Sequence, residues 1–228
     1  MGMSRSRFLA TAGGGAALLT LSTLPARAAL RRMAELPRVT APPGARSVQR
    51  YLGFCTACGL CAAACPSKVL RPAYGLLGLR GLLVPTLDYT VSYCQYECTS
   101  CLDVCPSGAL ERMSLERKKR VKIGDAALVK ERCIVFTSRT KCGACAEHCP
   151  TGAVAMKEVP GGIPEPFFTS RICIGCGACH HACPVRPDRA ITVSGLPLHE
   201  TAEKPTAEPL GSPAQGGTPG GGEEGFPF

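Results

Sequence analysis

Apolar residues along this chain come in short bursts, not in long stripes. Runs with strand propensity recur at Val69-Leu70, Ala109-Leu110, Ala153-Val154-Ala155-Met156 and Ile191-Thr192-Val193. Extended segments also stand at Ala127-Leu128-Val129 and Phe167-Phe168-Thr169. Each is too short for a helix, and each lies near glycine or proline, which reads as strands separated by loops. Ser114 precedes a charged segment and can cap a short helix there. The pattern predicts a repeating unit of strand, loop, short helix and strand. Three stretches fall outside it. Residues 8–24 are softly apolar throughout. Residues 29–46 carry Pro37, Pro42, Pro43 and Gly44 and read as a linker. Residues 201–228 hold seven Gly and five Pro with almost nothing to bury, and are expected to be disordered.

Such short elements leave little apolar surface to pack. The 228 residues include no Trp, 26 Gly and 20 Pro, a poor composition for a large core. Small cores usually need metals or disulfides to hold them. Here sixteen cysteines are available for that work.

The cysteines fall into four repeats of one pattern. The first is Cys55-x2-Cys58-x2-Cys61-x3-Cys65-Pro66, and the second is Cys94-x3-Cys98-x2-Cys101-x3-Cys105-Pro106. The third is Cys133-x8-Cys142-x2-Cys145-x3-Cys149-Pro150, and the fourth is Cys173-x2-Cys176-x2-Cys179-x3-Cys183-Pro184. None is left over. A C-x2-C-x2-C run wraps backbone around one face of an iron–sulfur cubane, so that three thiolates meet three irons. The fourth cysteine follows on a short helix and ligates the other cluster of a pair. Proline after it removes a backbone donor and turns the chain away. Gly59, Gly143, Gly175 and Gly177 sit beside ligand positions, where bulk would crowd the cluster.

Three blander readings compete. Disulfides suit an even cysteine count, but cysteines three apart on tight loops are too constrained to pair throughout. Structural zinc uses pairs of cysteines far apart and has no need of a cysteine–proline step after each run. Clusters that only brace the fold are the third. The spacing favours four [4Fe–4S] clusters with all sixteen cysteines as iron ligands. It predicts an α+β fold of two dicluster ferredoxin-like lobes over residues 47–200.

Charge then changes meaning. The formal net charge is +9, which suggests nucleic acid or an acidic membrane surface. Residues 1–28 contribute Arg5, Arg7 and Arg27 and no acid. Without them, and with sixteen thiolates offset by four cubane cores of charge 2+, the loaded protein sits near roughly −2. The basic excess therefore compensates cluster charge, and no nucleic-acid partner is expected.

The start of the chain has the layout of an export signal: basic Arg5 and Arg7, the soft apolar stretch, then Ala26-Arg27-Ala28. Ser4-Arg5-Ser6-Arg7-Phe8-Leu9 resembles a twin-arginine signal, with Ser6 where the second arginine belongs. Cleavage after Ala28 and a periplasmic location, peripheral to the inner membrane, are the expectation. Membrane association is expected only through a partner.

The four repeats and the eight-residue spacer between Cys133 and Cys142 resemble the MauM/NapG group of ferredoxin-type proteins, and the flanks Tyr93-Cys94-Gln95-Tyr96-Glu97-Cys98 and Cys176-Gly177-Ala178-Cys179 through Cys183-Pro184-Val185-Arg186-Pro187 resemble those of exported polyferredoxins. The resemblance covers roughly residues 45–200 and the leader. The tight Cys98-x2-Cys101 spacing departs from that group. The resemblance implies an electron carrier and not an enzyme, passing electrons between a membrane quinol-oxidising polyferredoxin and a periplasmic reductase or dehydrogenase. An accessory subunit with a structural or assembly role is the alternative. Related four-cluster subunits nest their motifs, which would place Cys183 with Cys55, Cys58 and Cys61, and Cys65 with Cys173, Cys176 and Cys179. Cys149 would then join Cys94, Cys98 and Cys101, and Cys105 would join Cys133, Cys142 and Cys145. A sequential scheme would join Cys65 to the motif that starts at Cys94.

Outside the cysteines, Arg112 and the run Arg117-Lys118-Lys119-Arg120-Lys122 read either as a docking patch for an acidic redox partner or as a solvated face. His180 and His181, between ligand positions, read as groups that pack near a cluster or face solvent. No nucleophile–base constellation appears.

Overall fold

A computed structural model describes residues 39–74, 77 and 81–204. The leader and the tail beyond 204 lie outside the described residues. The described residues belong to one compact unit. None of their helices is long and apolar enough to cross a membrane.

Most elements are as short as the pattern predicts; the exceptions are two paired strands of eight and eleven residues, the second of which runs to Thr201 and so into the stretch expected to be disordered. In chain order they are α1 (Val48–Phe54), α2 (Leu60–Ala64), β1 (Leu70–Pro72), β2 (Pro85–Leu87), α3 (Ser100–Asp103) and α4 (Leu115–Lys118). Then come β3 (Val121–Leu128), a 3-10 turn (Lys130–Arg132), α5 (Ile134–Thr137), α6 (Ala144–Glu147), β4 (Val154–Lys157), β5 (Glu165–Phe168), α7 (Ala178–Ala182) and β6 (Ile191–Thr201). Strands pair antiparallel in three two-stranded ribbons, β1 with β2, β3 with β6 and β4 with β5. The Ser114 hydroxyl accepts from the Arg117 amide at 3.3 Å and caps α4.

The segment Ala109-Leu110 is buried but forms no strand. Its backbone groups go elsewhere. The Arg50 guanidinium takes the carbonyls of Gly108 and Ala109, each at 3.0 Å. The Leu110 amide donates to the Cys105 sulfur at 3.4 Å, and the Glu111 amide donates to the Gly44 carbonyl at 3.0 Å. With donors and acceptors committed to side chains and a loop, no ladder can form.

Two buried clusters divide the interior. The first gathers Val48, Tyr51, Val69, Leu70, Leu87, Leu102 and Leu110 around cysteines of the first two motifs. The second gathers Val135, Val154, Ile172 and Ile191 around cysteines of the last two. The stretch from Thr40 to Ala45, within the expected linker, packs into the first: Ala41 and Ala45 are fully buried, and the Leu87 amide donates to the Thr40 carbonyl. The β3–β6 ribbon runs along both, with Ile123 in the first cluster and Leu128 against the second. A register shift between Lys122 and Gly124 bends it. Gly124 has to be glycine-sized, because a Cβ there would meet the Ser194 carbonyl oxygen at 2.8 Å.

Candidate iron–sulfur centres

All sixteen cysteines are free thiols, so no sulfur is used up in disulfides. They assemble into four sets. Cys55, Cys58 and Cys61 line a small cavity together with Cys105 of the second motif. Cys94, Cys98 and Cys101 line another with Cys65 of the first. Cys133, Cys142 and Cys145 line a third with Cys183 of the fourth motif. Cys173, Cys176 and Cys179 gather with Cys149, whose charge acts on all three.

The nested arrangement implied by resemblance is therefore corrected: each motif lends its fourth cysteine to its neighbour in sequence. The reason is reach. Helices α2 and α7 are five residues long and α3 and α6 only four, so the fourth cysteine is carried a single turn. It meets whichever motif packs against that turn, and α2 packs on α3 while α6 packs on α7.

Local backbone explains the wrap. Gly59 (φ +76°) and Gly177 (φ +84°) start α2 and α7 in the left-handed region, where glycine carries no penalty. The turn before α2 also lets the Ala57 amide donate to the Cys55 sulfur at 3.4 Å. A hydroxyl two residues after the fourth cysteine approaches its sulfur in three motifs: Ser67 at Cys65 (3.5 Å), Ser107 at Cys105 (3.7 Å) and Thr151 at Cys149 (3.7 Å). The repeated Cys-Pro-Ser/Thr step was visible in the sequence as the signal for this contact. In the last motif Val185 takes the position, and Arg186 instead donates to the Cys183 carbonyl.

The electrostatics fit a cation-rich core among the sulfurs. Burial, with help from neighbouring thiolates, pushes Cys61 and Cys145 up to about 11 and Cys176 up to about 12. The same two causes raise Cys101 and Cys179 strongly. Four such sulfurs cannot all ionise side by side in a dry pocket unless a positive core offsets them. Cys65 and Cys105 go the other way. Burial opposes ionisation there too, but hydroxyl and amide hydrogen bonds from Ser67, Val69 and Leu70, and from Ser107, Ala109 and Leu110, outweigh it. Among the described residues no three His, Cys, Asp or Glu side chains are placed to hold a single metal ion. A mononuclear zinc site needs such convergence, whereas a cubane keeps its thiolates apart.

Two side chains overlooked in the sequence stand against the sulfurs. Tyr51 is buried near Cys55, Cys61 and Cys105, and its hydroxyl donates to the Pro85 carbonyl at 2.8 Å. Tyr89 is buried beside Cys94, Cys173 and Cys176 and donates to the Gly175 carbonyl at 2.5 Å. A lone tyrosine carries no spacing signal, so neither could be found from sequence.

The basic run divides. Lys118 is only 3% exposed; its ammonium donates to the Gln95 carbonyl and, at 3.0 Å, to the Tyr96 carbonyl, and it lies beside Cys94. Lys122 is buried and donates to Ser170 at 2.7 Å and 2.9 Å. Lys119 pairs with Glu97 at 3.2 Å, and Arg112 donates to the Asp103 carbonyl at 2.9 Å. Neither a docking patch nor a solvated face describes Lys118 and Lys122, because both point inward. His180 bonds the Ile191 carbonyl at 2.6 Å through Nδ1, and His181 packs its ring on Tyr93, 5.7 Å between centroids.

Sets of three cysteines from one motif and a fourth from just beyond a neighbouring short helix define an iron–sulfur electron-transfer protein. The comparisons agree. A 4Fe-4S dicluster domain family matches residues 54–109 and 138–186. The ferredoxin-type protein NapG of Escherichia coli is 33% identical over 210 residues, covering 85% of this chain and 87% of the relative. The methylamine utilization ferredoxin-type protein MauM of Methylophilus methylotrophus is 33% identical over 177 residues, covering 72% and 75%. The ferredoxin-type protein NapF of Escherichia coli is 29% identical over 159 residues, covering 69% and 86%. No solved structure matches the chain. The chain belongs to the ferredoxin-type proteins of the MauM/NapG group. It binds [4Fe–4S] clusters and transfers electrons, and it is not itself an enzyme.

Proposed function

We propose that the chain is a one-electron relay holding four [4Fe–4S] clusters, two in each of two lobes. The ligands are Cys55, Cys58, Cys61 and Cys105; Cys94, Cys98, Cys101 and Cys65; Cys173, Cys176, Cys179 and Cys149; and Cys133, Cys142, Cys145 and Cys183. The observation that carries this reading is the exchange of one cysteine between sequence neighbours, twice over, around cavities of similar size. Each segment that matches the dicluster family spans one such pair of motifs. Cys133 lies before the second segment, and its place is supported by the cavity it lines with Cys142, Cys145 and Cys183.

When bound, each cluster supplies a site that accepts and releases one electron. The chain's own residues do the rest. Burial of the cysteine loops excludes water, amide and hydroxyl hydrogen bonds stabilise thiolate charge, and the short helices fix the spacing between sets.

The relay is read as exported and periplasmic, taking electrons from a membrane quinol-oxidising partner and giving them to a soluble oxidoreductase. The basic and apolar pattern of residues 1–28 supports export, and the MauM/NapG-type relatives support a place in a respiratory or dehydrogenase chain. The test is to reduce the anaerobic holoprotein with quinol-oxidising membranes supplied with quinol and then reoxidise it with a periplasmic extract from the same cells. Reversible bleaching of the cluster absorbance is expected. Clusters that are present but inert to both would overturn the relay in favour of a structural role.

A further inference from the structure

Two lobes with two sets each leave open how an electron passes from one lobe to the other. The structure shows a built contact between particular sets. The Cys94 amide donates to the Cys176 carbonyl at 2.9 Å, joining a ligand of the second motif to a ligand of the fourth. The Cys94 charge is felt at Cys176. A small buried cluster of Ile174, Cys176 and Ala178 packs directly against Tyr93, Cys94 and Tyr96.

Several side chains hold this seam closed. Tyr89 lies across it, its hydroxyl on the Gly175 carbonyl, and it meshes so closely with Gly177 that a Cβ there would sit 2.1 Å from the Tyr89 ring. Arg189 donates to the Tyr89 carbonyl at 3.3 Å and to the His180 carbonyl at 2.9 Å, tying the two loops together. A Cβ on Gly175 would sit 2.5 Å from the Gly124 backbone, so the loop carries no side chain where it meets the ribbon. Within each lobe, the third cysteine of each loop faces that of its partner: Cys61 acts on Cys101, and Cys145 on Cys179.

We propose that electrons cross between the lobes at the Cys94–Cys176 contact. The four sets then work as one line, in the order Cys55 set, Cys94 set, Cys173 set, Cys133 set, which is not the order of the motifs in sequence. The ends of the line are the Cys55 set, where Cys58 is exposed, and the Cys133 set. At the crossing one centre is oxidised as the other is reduced, by one electron, with no bond made or broken. The proposal rests on the four-cluster reading above.

The experiment is electron paramagnetic resonance on the fully reduced full-length protein and on two variants, Cys98→Ala and Cys176→Ala, with iron and sulfide counted on the same samples. Wild type low in iron would overturn the four-cluster reading itself, before any question of order. With clusters present, each variant should lose about a quarter of the iron. Cys98→Ala should leave one isolated, uncoupled centre, that of the Cys55 set, beside a coupled pair. Cys176→Ala should leave the Cys133 set isolated beside a coupled pair. If every remaining centre in Cys98→Ala stays coupled, the Cys55 set has a neighbour across the seam and the proposed order is wrong. Should either variant fail to fold, Tyr89→Phe and pulsed dipolar measurement on wild type replace it. The shortest distance between centres of different lobes must then fall between the Cys94 and Cys173 sets, and a shorter one elsewhere overturns the proposal.

Discussion

Lys118 offers a quantitative test of how the chain sets the energy of an electron. Its ammonium is buried, fixed by the Gln95 and Tyr96 carbonyls, and lies within hydrogen-bonding reach of Cys94. A positive charge there favours the reduced, more negative state of the Cys94 centre. At about 4–6 Å and an effective dielectric of about 20, the attraction for one added electron is about 3–4 kcal/mol. Dipoles and water that rearrange after the charge is removed recover roughly half of it. The remainder, about 1.5–2 kcal/mol, corresponds to about 65–85 mV at 59 mV per tenfold for one electron. Lys118→Met should therefore lower one midpoint potential by about 65–85 mV, while Lys118→Arg, which keeps the charge, should stay within about 20 mV of wild type. Potentiometric titration followed by electron paramagnetic resonance reads this centre by centre, with iron content checked because two carbonyls lose their donor. An unchanged or higher potential in Lys118→Met, or a shift in a centre that does not need Cys94, would refute the reasoning.

Cys65→Ala should remove or alter the centre of the second motif and leave that of the fourth intact, which separates sequential from nested pairing in a single spectrum. Gly177→Ala combines a left-handed backbone position with a Cβ driven into Tyr89, and should cost about 3 kcal/mol or more; a denaturant midpoint equal to wild type would contradict the packing described. His199 is held down to about 4 by burial, below the ordinary value of about 6.5. The unfolded chain therefore binds the extra proton between those values, and stability present above pH 6.5 is lost as pH falls toward 4. Wild type should lose about 1–2 kcal/mol more than His199→Gln between pH 7 and 5 in anaerobic guanidinium unfolding, and parallel losses in both would show that His199 is not buried neutral.

The strands and short helices near the cysteines were legible because each sits at a fixed offset from a motif whose spacing constrains the backbone. Ser114 was legible for a similar local reason, as a hydroxyl opening a helix. Ala109-Leu110 misled because strand propensity says nothing about Arg50, 58 and 59 residues earlier in the chain, taking the carbonyls a partner strand would need. Pairing of the motifs was not legible at all. The spacing places the fourth cysteine on a departing helix, but which loop it meets depends on how α2 packs on α3 and α6 on α7. The inward turn of Lys118 and Lys122 was hidden for the same reason, since a basic run looks identical whether its ammonium groups find water or buried carbonyls. Tyr89 and Gly177, 88 positions apart in sequence, show the seam only once the chain is folded.

The most direct measurement of the central claim is iron and acid-labile sulfide per chain on anaerobically prepared full-length protein, with electron paramagnetic resonance before and after reduction. The account predicts about sixteen irons and as many sulfides, four clusters of four, with coupled signals that appear on reduction and vanish on reoxidation. Zinc in place of iron, or metal-free oxidised cysteines after strictly anaerobic handling, would contradict it.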